Sequence, residues 1–273
     1  MGNNIFEEIK RINECQSEFW SSRDLAKALD YSNYDKFLNV IDKAKESCKN
    51  SGQVIHNHFS HMDEMVEIGS GAKRAIETVY LSRYACYLII QNSDPSKEVV
   101  ALGQTYFAIQ TRRQEKTDQL IEDNKRLHLR SEIKTHNASL ASAAENAGVE
   151  NYGKFQNYGY KGLYGGLDAN DIHKKKNLKK SQKILDHMGS EELAANLFRA
   201  TQTDAKLRRE KIQGEMNANL THFHVGQKVR KTIEELGGTM PEELPTTDGI
   251  CKAKTRIRKI ENKKIKTTTG SKL

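Results

Sequence analysis

The chain lacks the marks of a secreted scaffold, a membrane protein or a familiar enzyme. Its four cysteines, Cys15, Cys48, Cys86 and Cys251, are scattered with no Cys-x-x-Cys pair, so neither a zinc knuckle nor a disulfide framework is suggested. Reduced, mostly buried thiols are expected, and Cys86 inside YACYLII reads as a small apolar side chain. No apolar run approaches the roughly 20 residues that span a bilayer. The first residues, MGNNIFEEIKRINECQ, carry acids in place of an apolar signal core, so a cytoplasmic protein without a membrane partner is expected. Phe6 stands where a myristoylation pattern after Gly2 needs Ser or Thr. There is no Walker loop, no Gly-x-Ser-x-Gly elbow and no dinucleotide fingerprint, so no cofactor is implied.

What is present is charge, unevenly placed. The formal net charge of +8 invites a nucleic-acid reading, but its location matters more than its size. Residues 1–120 hold 15 basic and 17 acidic side chains, residues 121–249 hold 20 and 18, and residues 250–273 hold 9 and 1. The excess therefore lies in ICKAKTRIRKIENKKIKTTTGSKL, a solubilising end, a nuclear-style or phosphate-binding arm, or a piece of helix frayed at one end. The body is close to neutral.

Near the start, WSSRDLAKALDYSNYDKFLNVIDKAKESCKNSG reads as two helices. Ser21 or Ser22 is expected to cap the first, with Leu25, Ala28 and Leu29 inside. Ser32 or Asn33 restarts the pattern, and Phe37, Leu38, Val40, Ile41 and Ala44 form the buried face of the second until Gly52. Two helices joined by a tight turn can offer the second to a DNA groove, though most such pairs only pack. The period then changes. QVIHNHF, EMVEIG and AIETVYL suggest the strands of a small antiparallel sheet, with SHMD and GSGAKR between them. Gly69 to Arg74 would be a hairpin tip whose Lys73 and Arg74 could lie along a phosphate backbone or merely meet water.

Ser82 is a candidate cap, and Asp94 with Pro95 marks a helix start. From there nothing stops a helix before Gly148, although Gly103 and THNAS could bend or break it. At 1.5 Å per residue it would span on the order of 75 Å, a spacer or a partner for another helix. Then comes FQNYGYKGLYGGLDANDIHKKKNLKK, which fits either a stacking platform above a bed of phosphates or a joint. Each glycine costs a helix roughly 1 kcal/mol relative to Ala. Gly159, Gly162 and Gly166 fall at spacings of three and four, which favours one close-packed face with a basic rim, and Tyr160 and Tyr164 would share another. Ser190 is expected to cap EELAANLFRATQTDAKLRREKI, with Leu193, Ala194, Leu197 and Phe198 inside. ANLTHFHVGQKVRKTIEELGG should form the next helix, ended by Gly237 or Gly238.

Several constellations are weak. His56 and His58 would share one face of a strand, with His61, Asp63 and Glu64 following, a conceivable metal corner, but surface histidines are the better reading. The pair His222 and His224 has no second ligand set. GYKGLYGG superficially resembles the Gly-Ile-Tyr nuclease pattern but sits between helical segments, and EIK at Glu132–Lys134 falls in a helix where a restriction-nuclease motif needs a strand. No catalytic site and no metal site is expected.

WSSRDLAKALDYSNYDKFLNVIDKA followed by YLSRYACYLIIQNSDPSK resembles the BRO-N domain, an α+β module of phage and viral regulators implicated in DNA binding. Nearly end to end, through FEEIKRIN, NSDPSKEVVALGQTYFAIQTRRQE, FQNYGYKGLYGGLD, KKSQKILDHMGSEELAANLFRATQT and LGGTMPEELP, the chain is similar to the DNA damage-inducible protein D family. That resemblance implies a non-enzymatic protein of the SOS DNA-damage response that meets the RecA filament on single-stranded DNA and modulates recombination. The expected fold is α+β: a BRO-N-like domain with a small antiparallel sheet over 1–98, a long connecting helix over 99–147, an all-helical domain over 148–245, and a basic disordered tail over 246–273. Candidate DNA contacts are Asn33, Tyr34 and Lys36 on the second helix, Lys73 and Arg74 on the hairpin, and Lys174, Lys175, Lys176, Lys179 and Lys180. The helical half is left to meet a protein partner or a second copy of the chain. The rival expectation is a protein–protein modulator that never touches DNA, and a more distant one is a metal-dependent nuclease.

Overall fold

The computed structural model describes residues 5–13, 16–68 and 72–269. Cys15 and the Gly69–Gly71 part of the expected hairpin tip lie outside them. The chain divides into two compact units, residues 1–114 and 115–273.

The first unit is α+β. It comprises α1 (Ile5–Glu8), β1 (Arg11–Ile12), β2 (Glu18–Ser21), α2 (Ser22–Ala28), α3 (Tyr34–Asn50), β3 (Phe59–Ile68), β4 (Ala72–Leu81), α4 (Arg83–Asn92) and the start of α5 (Glu98–Asn146). The sheet is antiparallel in the order β1-β2-β4-β3. One side of α3 buries Phe37, Val40, Ile41 and Ala44 against Trp20, Leu25, Leu29, Leu81, Ile89 and Ile90, the amphipathic logic the sequence carried. Asn33 caps α3 by accepting from the Lys36 amide at 3.1 Å, and Ser82 caps α4 from Ala85 at 3.1 Å. Ser21 makes no side-chain cap. Ser22 Oγ instead accepts the buried Val79 amide at 2.9 Å, because a sheet N–H shut away from water must find a partner.

QVIHNHF is not a strand. Residues Ile55–Asn57 make a single 3-10 turn, while SHMD, expected as a break, lies inside β3 and pairs continuously from Phe59–Leu81 to Ile68–Ala72. SHMD contains neither Gly nor Pro, so nothing prevents the ladder from running through it. His56 and His58 therefore share no strand face, and His58 Nδ1 lies 2.9 Å from Ser82 Oγ.

The second unit is helical: the later part of α5, then α6 (Tyr152–Leu163), α7 (Ala169–Lys175), a 3-10 turn at Ile184–His187, α8 (Ser190–Arg209), α9 (Glu215–Glu235) and α10 (Ile250–Thr269). Neither Gly103 nor THNAS interrupts α5. The glycines of α6 are answered by α9. A Cβ on Gly159 would overlap the Arg199 and His222 side chains, one on Gly162 the Phe223 carbonyl, and one on Gly226 the backbone of Gly159 and Leu163. Two helix backbones meet where side chains are missing, which offsets the helix cost of glycine. Gly166 does not belong to that face: it follows the helix with φ of +102° and faces open space. Gly237, at φ +71°, follows the end of α9.

Two expectations about α8 are corrected. Ser190 does not cap it; Gly189 occupies that position, and Glu122 reaches across from α5 to accept from the Ser190 amide at 2.8 Å and its hydroxyl at 2.6 Å. Phe198 and Ala194 are exposed, and the inner stripe is Glu192, Leu193, Asn196, Arg199, Ala200, Thr203 and Leu207. Hydropathy could not find that face, because half of it is polar.

Candidate nucleic-acid interface

Of the N-terminal candidates, Asn33 and Tyr34 carry structural duties. Asn33 is the α3 cap, and the Tyr34 hydroxyl lies 2.6 Å from Ser22 Oγ while its ring sits 4.0 Å under the Arg23 guanidinium. Lys36 is exposed on the first turn of α3, and Lys73 and Arg74 are exposed on β4, Lys73 opposite Glu67. These three cations are what the first unit presents of the predicted set.

In the second unit the lysine segment separates into two classes. Lys174, Lys175, Lys179 and Lys180 are exposed. Lys176 is not: its ammonium lies 2.8 Å from Glu192 Oε2, with side-chain exposures of 5% and 0%, so it is corrected from a phosphate contact to a core ion pair. An ammonium so deep needs a carboxylate. Burial holds the Glu192 carboxyl above the usual carboxylate range, against hydrogen bonds from Lys176 and Tyr164. The network continues inward. Tyr164 donates to Glu192 at 2.9 Å and Asn196 donates to the Tyr164 oxygen at 2.7 Å. Arg199 donates to Asn196 at 3.2 Å and to His222 Nε2. His222 Nδ1 faces the Phe155 carbonyl at 3.0 Å, which fixes a neutral imidazole with its proton on Nδ1. Burial first, then the Arg199 charge, hold His222 well below the ordinary histidine range. His222 is thus a core histidine.

The basic end of the chain forms α10 over Ile250–Thr269, against the expectation of a disordered tail. Ile250 and Ala253 are buried, with Ile257 and Ile260 half-buried, a spacing of three, four and three on one helical face. Arg256 clamps the helix to α5: its Nε and Nη2 reach Asp123 at 2.6 and 2.8 Å, and Nη1 reaches Asp248 at 2.9 Å. Burial works to raise the Asp123 carboxyl, but hydrogen bonds from Arg256 and Gln119 outweigh it and the pKa lies below the ordinary value. Arg126, itself buried, donates to the carbonyls of Met188, Asp186 and Asp248 at 2.9, 3.1 and 2.6 Å. A helix frayed at one end is among the readings the sequence allows here, and the isoleucine spacing is its legible signal.

The two basic segments lie side by side. Thr247 N donates to His187 O at 3.0 Å, and Thr246 Oγ1 to Lys176 O at 3.4 Å. Between them lies a groove of about 540 Å³, lined in part by Gln182, Lys183, Thr246 and Lys252 and by the carboxylate residues Asp186 and Asp248. Of the exposed cations Lys183 and Lys252 line it, while Lys174, Lys175, Lys179 and Lys180 are exposed elsewhere on the first segment and Lys254, Arg258 and Lys259 further along α10. Among the described residues no cluster of three His, Cys, Asp or Glu side chains is placed to hold a metal, and no helix is long and apolar enough to cross a membrane.

Comparison with known proteins agrees with this division. A family model described as the BRO family N-terminal domain matches residues 8–108, and one described as the DinD C-terminal domain matches residues 120–253, so most of α10 extends beyond the matched segment. The chain is 59% identical over 267 residues to DNA damage-inducible protein D of Escherichia coli strain K12, covering 95% of this chain and 97% of that protein. On the strength of that identity, with both halves matched in order, the chain belongs to the DNA damage-inducible protein D family.

Proposed function

We propose that this protein is a non-enzymatic component of the SOS DNA-damage response that associates with DNA, including DNA within a RecA filament, and modulates recombination. The relative's name supports the damage-response part. The observation that carries DNA contact is the run of exposed lysines at 174, 175, 179 and 180 on a segment whose continuation, through Lys183, shares one groove with Lys252 at the start of α10. A run of exposed cations suits a phosphate backbone, which needs charge and no particular base. Lys36, Lys73 and Arg74 would add contacts from the N-terminal unit.

The test is salt-dependent binding by a variant with Lys174, Lys175, Lys179 and Lys180 changed to Ala, Lys176 being left in place. Each lost phosphate contact should flatten the log–log salt slope by about 0.9 on duplex or 0.7 on single strands. An unchanged slope rejects the assignment. The rival, docking on the recombinase without DNA contact, has one observation in its favour: half-exposed Phe198 (52%) lines an apolar groove with Val229, Ile233, Pro241 and Leu244. Band shifts with and without RecA separate the two, since the rival gives no shift by the protein alone.

A further inference from the structure

A second groove lies where α6 and α9 approach closely, at the rim of the glycine joint. It has a volume of about 790 Å³ and is lined by Lys161, Gly165 and Gly166 at the end of α6 and by Phe223, Lys228 and Lys231 on α9, among others. That volume is within the range of about 300–1,000 Å³ typical of ligand sites. Gly165 and Gly166 adopt φ of +63° and +102°, so the turn that closes the groove is bare backbone, and a Cβ on Gly166 would meet nothing within 4 Å. Phe223 is half-buried, its ring 5.7 Å from that of His224 and edge-on to it. Lys161, Lys228 and Lys231 are exposed. Lys231 has only a loose pairing with Glu235 at 3.6 Å, both 64% exposed, which water screens. Arg230 is withdrawn from service, held by Glu242 through two 2.7 Å hydrogen bonds. Glu234 is the carboxylate on the lining and disfavours a phosphate at its end.

We propose that this groove holds an unpaired base of a single-stranded nucleic acid against Phe223, with the flanking phosphates on Lys161, Lys228 and Lys231. An aromatic ring in a concave, cationic setting is the pairing by which single strands are held, because every free base has a π face while bases in a duplex are already stacked. An acidic protein segment would satisfy the lysines but leaves the aromatic floor without a use. The inference rests on the reading that the protein meets nucleic acid, and adds which form it meets and where. It also revises the choice between joint and platform: the glycines make the joint, and the joint makes room for the platform.

The test uses the full chain with fluorescein-labelled oligothymidine, a mixed-sequence duplex and polyglutamate as competitor. Changing Lys161, Lys228 and Lys231 together to Ala should weaken single-strand binding tenfold or more and flatten its salt slope by about 0.7 per lysine. Phe223→Leu, which keeps the apolar fill and the thermal midpoint, should weaken it from about fivefold to a hundredfold. Ultraviolet crosslinking of iodouracil-substituted oligothymidine should label the tryptic peptide Ile212–Lys228. Single-strand binding within twofold of the parent in both variants overturns the proposal, as does equal competition by the duplex or by polyglutamate. If the groove variants bind normally while the four-lysine variant does not, this groove is rejected and the reading above stands. If the unaltered protein binds no DNA with or without RecA, both fall.

Discussion

Replacing Gly162 by Ala asks whether the helix joint is a contact between backbones. In an exposed helix the change would be favourable by about 1 kcal/mol. Here the new Cβ would overlap the Phe223 carbonyl and lie within about 3.1 Å of the Gln227 amide nitrogen. These are backbone atoms of α9, with no rotamer to turn aside, so α6 must back away and loosen the neighbouring contact of Gly159 with Gly226. Overpacking of this kind costs roughly 1–3 kcal/mol and occasionally more, so after the helix gain the net loss should reach about 2 kcal/mol. For a unit of this size that lowers the midpoint by about 2–4 °C per kcal/mol. The control is Gly153→Ala in the first turn of the same helix, where a Cβ would sit 3.5 Å from Asn151 Oδ1, an ordinary contact. It should be neutral or stabilising by up to about 1 kcal/mol. Calorimetry of the full chain, with hydrogen exchange of the α6 and α9 peptides, reads both variants. If Gly162→Ala is as stable as Gly153→Ala and α9 exchanges no faster, the close-approach reasoning is refuted.

The two lysine classes should part company: Lys176→Ala leaves Glu192 buried without its partner and should cost about 3–5 kcal/mol, whereas Lys174→Ala or Lys175→Ala should stay within about 0.5 kcal/mol by urea unfolding. Glu122→Ala removes the acceptor at the start of α8 and should cost about 1 kcal/mol, the usual value of an N-terminal cap, checked by exchange of the first α8 amides. Because His222 is held neutral below its ordinary value of 6.5, the unfolded chain takes up more protons there. Stability should therefore fall as pH drops below about 6.5, and His222→Gln should flatten that slope in thermal scans between pH 7 and 5. Arg256→Ala should release α10 from Asp123, seen as faster tryptic cleavage at Lys252–Lys259 with the remaining fold intact; unchanged cleavage would mean the clamp does not hold the helix.

Local rules carried much of this protein. The α3 stripe, the Asn33 and Ser82 caps, the α+β order and the helical second half were legible because spacing and turn chemistry act within a few residues. The glycine face was legible for the same reason, since a helix tolerates such residues only where something comes close. What escaped depended on distant partners. β3 ran through SHMD because β4 stood ready to pair with it. The inner face of α8 was polar because Lys176, Tyr164 and His222 converge on it from three other segments. Ser190 lost its capping role to a glutamate 68 residues away. The basic tail became a helix through Asp123, 133 residues distant from Arg256. Sequence thus determined most of the helices, the strand β4 and the apolar stripe of α3, because periodicity and capping are properties of neighbours. Tertiary structure alone decided which charges are buried partners and which remain free, because the desolvation of a charge is set by whatever the fold brings against it.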